Sequence, residues 1–189
     1  LQWLDFRDMA SAAREIGFDG IDLTVRPGGH VDPASVVEDL PEAARIIREE
    51  GMKVSMMTTA VNDPDHPLSR KVLETAAEQG IKYYRMGYYR YSADEPISAT
   101  LDKAKSRMEG LARLNERIGI RGAYQNHAGD GYFGSPLWDI GWILKDIPSE
   151  WIGCQFDLRH ASVESTLSWK TDLRLIIKRI HSLAVKDSC

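Results

Sequence analysis

Residues 7–25, RDMASAAREIGFDGIDLTV, set a pattern that the rest of the chain repeats. Residues 7–17 read as a helix that ends at Gly17, and residues 20–25 alternate apolar and polar positions, as a strand does. A glycine just after a helical stretch supplies the left-handed backbone that closes many helices. The same order recurs downstream. A helix over 33–50 is closed by Gly51 and precedes a strand over 53–59; a helix over 68–79 is closed by Gly80 and precedes 81–87. A long helix over 97–118, stopped by Gly119, precedes 120–127; helices over 137–146 and 169–178 precede strands over 151–157 and 180–187. These six helix-then-strand units carry no Asn-Gly hairpin signal between strands. The helices therefore act as crossovers, and the sheet is predicted to be parallel.

Two parallel architectures compete, a doubly wound open sheet and a closed eight-stranded barrel. The first calls for a glycine-rich phosphate loop between a strand and a helix, and no join here carries G-x-G-x-x-G or a P-loop. A barrel gathers polar residues at the carboxyl ends of several strands, as this chain does repeatedly. The fold class predicted is α/β, a (β/α)8 barrel. Barrels typically take about 250 residues, with roughly 200 at the low end, and this chain has 189. The expectation is one domain over residues 1–189, a fragment lacking the first and last strands.

Bulk composition narrows the function classes. A formal net charge of -4 argues against a large nucleic-acid footprint, which needs clustered Lys and Arg. No run is apolar for long enough to span a membrane as a helix. The two cysteines, Cys154 and Cys189, give neither a disulfide framework nor a metal spacing, so a reducing compartment is the default. Because the sequence starts at Leu1, a targeting segment stays open, and a cytoplasmic location is expected only by default.

Candidate site residues come from strand ends, where inward positions recur at every second residue. Asp22, Thr24 and Arg26 share one face, followed by Gly28, Gly29 and His30. Arg26 and His30 are candidates to line a site; the alternative is a glycine turn with Arg26 paired to a carboxylate. Tyr83, Arg85 and Gly87 share a face, and Arg85 could hold a sugar oxygen or a carboxylate, or be a packed ion pair. Gln125 and His127, then Asp157 with His160 three residues on, then Lys186 with Asp187, close three successive strands. A lone Asp in such a place is often a helix cap. Three adjacent strands ending this way point to a site. Trp169 is the tryptophan placed to stack on a sugar ring, with core packing as the alternative.

At these residues the chain resembles the xylose isomerase-like TIM barrels, the sugar phosphate isomerases and epimerases. Gly17-Phe18-Asp19-Gly20-Ile21-Asp22-Leu23 resembles the family's approach to its second strand, and Gln125-Asn126-His127 its fifth-strand Glu-Asn-His. Asp157-Leu158-Arg159-His160 resembles its sixth-strand Asp-x-x-His, and Val185-Lys186-Asp187 the end of its seventh-strand His-x-Lys-Asp. Members with a metal site hold one divalent ion with Glu, Asp, His and Glu from the fifth to eighth strands. Carried over, the Asp is Asp157 and the substrate-contacting histidine is His160, while Gln125 replaces the first Glu and Ala184 the metal-binding His. The last Glu would fall beyond Cys189. A glutamine carbonyl can ligate a hard cation but is no general base, and alanine ligates nothing. A divalent metal (Mn, Mg, Co or Zn) on Asp157 and Gln125 therefore stands beside a metal-free pocket as an equal reading.

The resemblance implies a sugar or keto-sugar isomerase or epimerase that moves a proton alpha to a carbonyl. His160, Lys186 and His127 are its catalytic candidates, and Arg26, His30, Gln125, Arg85 and Trp169 its substrate binders. A keto-sugar lyase or hydrolase on the same barrel is an alternative, as is a non-catalytic sugar-binding barrel with a decayed metal site. A metal-cluster endonuclease of the same superfamily fits poorly with five histidines and an acidic chain. The expected partners are a small carbohydrate and, as an option, further copies of the chain, with neither nucleic acid nor membrane.

Overall fold

The computed structural model describes residues 3–186, so Asp187 and Cys189 lie outside the described residues. The chain runs α1 (Phe6–Ile16), β1 (Ile21–Val25), α2 (Val36–Glu49), β2 (Val54–Thr59), α3 (Pro67–Glu78), β3 (Tyr83–Arg85) and α4 (Ile97–Ile118). It continues β4 (Arg121–Gln125), α5 (Leu137–Leu144), β5 (Ile152–Asp157), α6 (Leu158–Ser165), α7 (Trp169–Ile176) and β6 (Ile180–Ala184). The end signals read from the sequence act as such. Asp5 accepts the N–H of Asp8 to start α1, and Gly17 closes it at φ +96°. Gly119 does the same for α4 at φ +81°.

All six strands pair in parallel and in sequence order, β1 to β6. A doubly wound sheet reverses its strand order at a switch point. An unbroken order is that of a barrel, and six of the eight strands of a (β/α)8 TIM barrel are described here. Strand alternation then separates two environments. Leu23, Val25, Met57, Tyr84, Tyr124, Cys154 and Phe156 are buried in the hydrophobic core. Asp22, Thr58, Arg85, Gln125 and Gln155, of the opposite parity, line a cleft on the inner face. Burial pushes the Cys154 thiol up to about 12, so it is a core side chain rather than a nucleophile. No helix among the described residues is long and apolar enough to cross a membrane.

Two local features differ from the sequence expectation. β3 stops at Arg85 although the apolar run continues to Gly87. The Gly87 N–H leaves the ladder to donate to Val61 O at 2.8 Å, and a Cβ there would sit 2.4 Å from Ala60 O. The second is α6, which begins directly at the end of β5 because Asp157 caps it by accepting the His160 N–H. Its periodicity is too weak to announce it.

One buried polar residue ties the layers together. Asn115 of α4 accepts the Tyr84 hydroxyl at 3.2 Å and donates to the Trp151 carbonyl at 3.0 Å, linking α4 to β3 and to the start of β5. Asn115→Leu would leave the fully buried Tyr84 hydroxyl without an acceptor. Urea unfolding should show a loss of about 1–3 kcal/mol; unchanged stability would contradict this role.

Candidate active site

Asp157 is fully buried at the carboxyl end of β5, opposite Ala184 of β6. Its Oδ1 accepts the His160 N–H at 3.1 Å. Its Oδ2 accepts from Gln125 Nε2 at 2.7 Å and pairs with Lys186 Nζ at 2.5 Å, with His160 Nε2 at 3.5 Å. Asn126 grips the backbone of the same residue. Its Oδ1 accepts the Asp157 N–H at 2.7 Å and its Nδ2 donates to the Asp157 carbonyl at 3.0 Å. Burial alone would raise the Asp157 pKa. The Lys186 ammonium and the His160 backbone N–H hold it below the ordinary carboxylate range.

Two histidines flank this carboxylate. The His160 ring stacks on His127 with centroids 4.4 Å apart, and His127 stacks on Tyr132 at 4.1 Å. Burial lowers the His160 pKa, against the pull of Asp157, so the imidazole is neutral at pH 7. Its Nε2 lies 3.2 Å from Lys186 Nζ and can accept from the ammonium. For His127 the partner settles the tautomer. Nδ1 lies 2.7 Å from the Ala128 carbonyl, which can only accept, so the neutral ring carries its proton there. Nε2 is left with a lone pair beside the cleft, the arrangement of a general base.

The cleft holds about 560 Å³ and is lined by Asp22, Arg26, Thr58, Arg85, Tyr88, Gln125, His127, Tyr132, Gln155, Ala184 and Lys186. Arg85 is buried, with Nη1 donating to Met86 O at 3.1 Å and its guanidinium 4.6 Å from the Tyr88 ring centre. The Tyr88 hydroxyl donates to Gln125 Oε1 at 2.7 Å, which joins this wall to Asp157. Thr58 Oγ1 donates to Asp22 Oδ2 at 3.0 Å. Gln155 Oε1 is buried without a hydrogen-bond partner among the described residues.

Of the residues expected from sequence, Arg26, Arg85, Gln125, His127 and Lys186 come together on the cleft, and Asp157 and His160 lie behind Gln125 and Lys186. His30 does not line it. Its Nδ1 sits 2.7 Å from Thr24 Oγ1, which also accepts its backbone N–H. Trp169 does not reach it either. α6 carries the chain away from the strand end, and Trp169 packs half-buried against the core at the start of α7. The sequence reading missed Tyr88, Tyr132 and Asn126. Strict alternation past Arg85 favours Tyr89, but the bend at Gly87 resets the parity and brings Tyr88 inward. Asn126 stood in the quoted tripeptide, where its amide could have been read as a strand clamp. For Tyr132 there was no local signal.

This donor set does not fit a divalent ion. The one carboxylate at the centre already faces an ammonium, and Gln125 offers it an N–H while its carbonyl takes the Tyr88 hydroxyl. Ala184 supplies no donor. Among the described residues no group of three or more His, Cys, Asp or Glu side chains is disposed to hold a metal.

A family model described as a xylose isomerase-like TIM barrel matches residues 10–189. No curated protein matches the chain in sequence. Among solved structures, the 3-keto-D-glucoside 4-epimerase YcjR from E. coli superposes with TM-score 0.75 at 15% identity, over 97% of this chain and 74% of that one. A D-psicose 3-epimerase follows at 0.72 and 11%, over 98% and 69%. The probable 3-DHS dehydratase AsbF from Bacillus anthracis gives 0.74 at 11%, over 96% and 68%. At these identities the likeness is one of fold.

The depressed Asp157 pKa has a signed consequence for stability. Its contribution is complete above the ordinary carboxylate pKa and is lost as pH falls through the lowered value of the folded state. Asp157→Asn should be less stable at pH 7 by about 1–3 kcal/mol, since Lys186 is half exposed. In urea melts from pH 7 to 3 its deficit against the parent should shrink. A deficit that stays constant with pH would contradict the assignment.

Proposed function

The chain belongs to the xylose isomerase-like TIM-barrel family, and we propose that it is an enzyme that moves a proton alpha to the carbonyl of a sugar or keto-sugar. The observation that carries this reading is the pairing of one cation and one base on one cleft wall. Lys186 is fixed by Asp157 and His160, and His127 presents Nε2 beside it. His127 Nε2 takes the proton from the carbon next to the carbonyl. Lys186 donates a hydrogen bond to the carbonyl oxygen and stabilises the enolate as its charge develops. Protonation of that carbon on its opposite face by water gives epimerisation; return of the proton to the former carbonyl carbon, with the neighbouring hydroxyl passing its proton to the former carbonyl oxygen, gives isomerisation. His160 acts through Lys186, holding the ammonium toward the cleft. Gln125, Arg26 and Arg85 bind and orient the substrate, and no step calls for a metal. Residues 1–189 act as a single barrel domain in this reading. The sugar epimerases among the structural neighbours support a carbohydrate substrate, and the dehydratase keeps elimination open as a second outcome of the same enolate.

The replacement of a ligand set by Gln125 and Ala184 favours one rival, a sugar-binding barrel without chemistry. Deuterium uptake from D2O into keto-hexoses and 3-keto-glucosides, followed by NMR, separates the two. The parent protein should exchange the alpha proton, and His127→Gln should slow exchange by about 100-fold or more. His160→Ala should slow it as well. Exchange undiminished in both variants would remove the histidines from the mechanism, and sugar binding without exchange in the parent would establish the rival.

A further inference from the structure

The cationic end of the cleft is left over by this mechanism. Lys186 is neutralised by Asp157, but Arg26 and Arg85 line the same cleft and form no ion pair with any described carboxylate. Arg85 is only 5% exposed. Beyond the Tyr88 ring, its terminal nitrogens reach just two backbone carbonyls, Met86 O at 3.1 Å and Thr59 O at 3.5 Å. A buried guanidinium without a counter-charge is costly, and a second one nearby adds repulsion. Burial lowers the Arg85 pKa, and the like charge of Arg26 works in the same direction. Among the described residues the one carboxylate lining the cleft is Asp22, which offsets the two arginines only in part and at a distance. It accepts the Thr58 hydroxyl and lies outside ion-pair distance of both arginines. In a protein of net charge -4, this is a local surplus of positive charge inside an acidic molecule.

From this arrangement we infer that the substrate carries an anionic group, a carboxylate or a phosphate, which Arg26 and Arg85 hold while the sugar carbonyl faces Lys186. The inference rests on the sugar reading of the same cleft. Guanidinium forks match the paired oxygens of both groups, whereas neutral sugar hydroxyls would leave the buried charge uncompensated.

Isothermal titration with D-glucose, D-glucose 6-phosphate and D-glucuronate tests this. At least one anionic sugar should bind about tenfold more tightly than glucose, and which one does so tells phosphate from carboxylate. Arg26→Gln, a change at a half-buried loop side chain, should reduce that preference to about twofold or less. Arg85→Lys, which keeps the charge but loses the fork, should weaken the anionic sugar with little change for glucose. Equal binding of all three sugars, no binding of either anionic sugar, or a preference that survives in Arg26→Gln would overturn the inference. Binding is measured apart from proton exchange. Exchange that depends on His127 with no anion preference would sink this inference alone, whereas an anion preference without exchange would leave it standing and remove the catalytic reading.

Discussion

The buried Asp157 carboxylate is the constraint on which the site depends. A charge removed from water must be met by hydrogen bonds and opposite charge, or the fold loses stability. Here groups from three places in the chain meet it: the His160 backbone N–H, the Gln125 amide and the Lys186 ammonium. Each is thereby placed. Gln125 is drawn across from β4, Lys186 is held just past the end of β6, and α6 starts where it does because Asp157 caps it. Asn126 adds a backbone clamp, so the end of β5 is fixed relative to β4. His127 then lines the cleft with the His160 ring stacked behind it, and the wall they share is set by one carboxylate.

Much of this was legible in the sequence. Glycines after helical stretches mark the ends of α1 and α4, and strand parity places Arg85, Gln125 and Asp157 on the inner face. The joining of three strand ends into one site follows from a sheet whose sequence neighbours are also spatial neighbours. What was not legible depends on contacts between distant segments. Gly87 approaches Ala60 too closely for any side chain, and the resulting bend exchanges Tyr89 for Tyr88 at the cleft. Tyr132 enters by stacking on His127 from a loop without periodicity. Trp169 was read as either a sugar platform or a core residue, and α6, with little apolar patterning, gave no sign that the packed position is the one it takes.

Charge is divided along the cleft. Asp157 cancels the charge of Lys186 and leaves a balanced pair. Arg26 and Arg85, on the same cleft, stand without a described ion-pair partner. An ammonium beside Asp157, with Ala184 opposite, repels any second cation there.

In the proposed reading Asp157 is committed to Lys186 and not to a metal ion. The most direct test is elemental analysis of the purified protein after incubation with Mn, Mg, Co or Zn and removal of free ion, in parallel with Asp157→Asn. The account predicts no stoichiometric metal in either protein. A metal bound one per chain in the parent and lost in Asp157→Asn would contradict it.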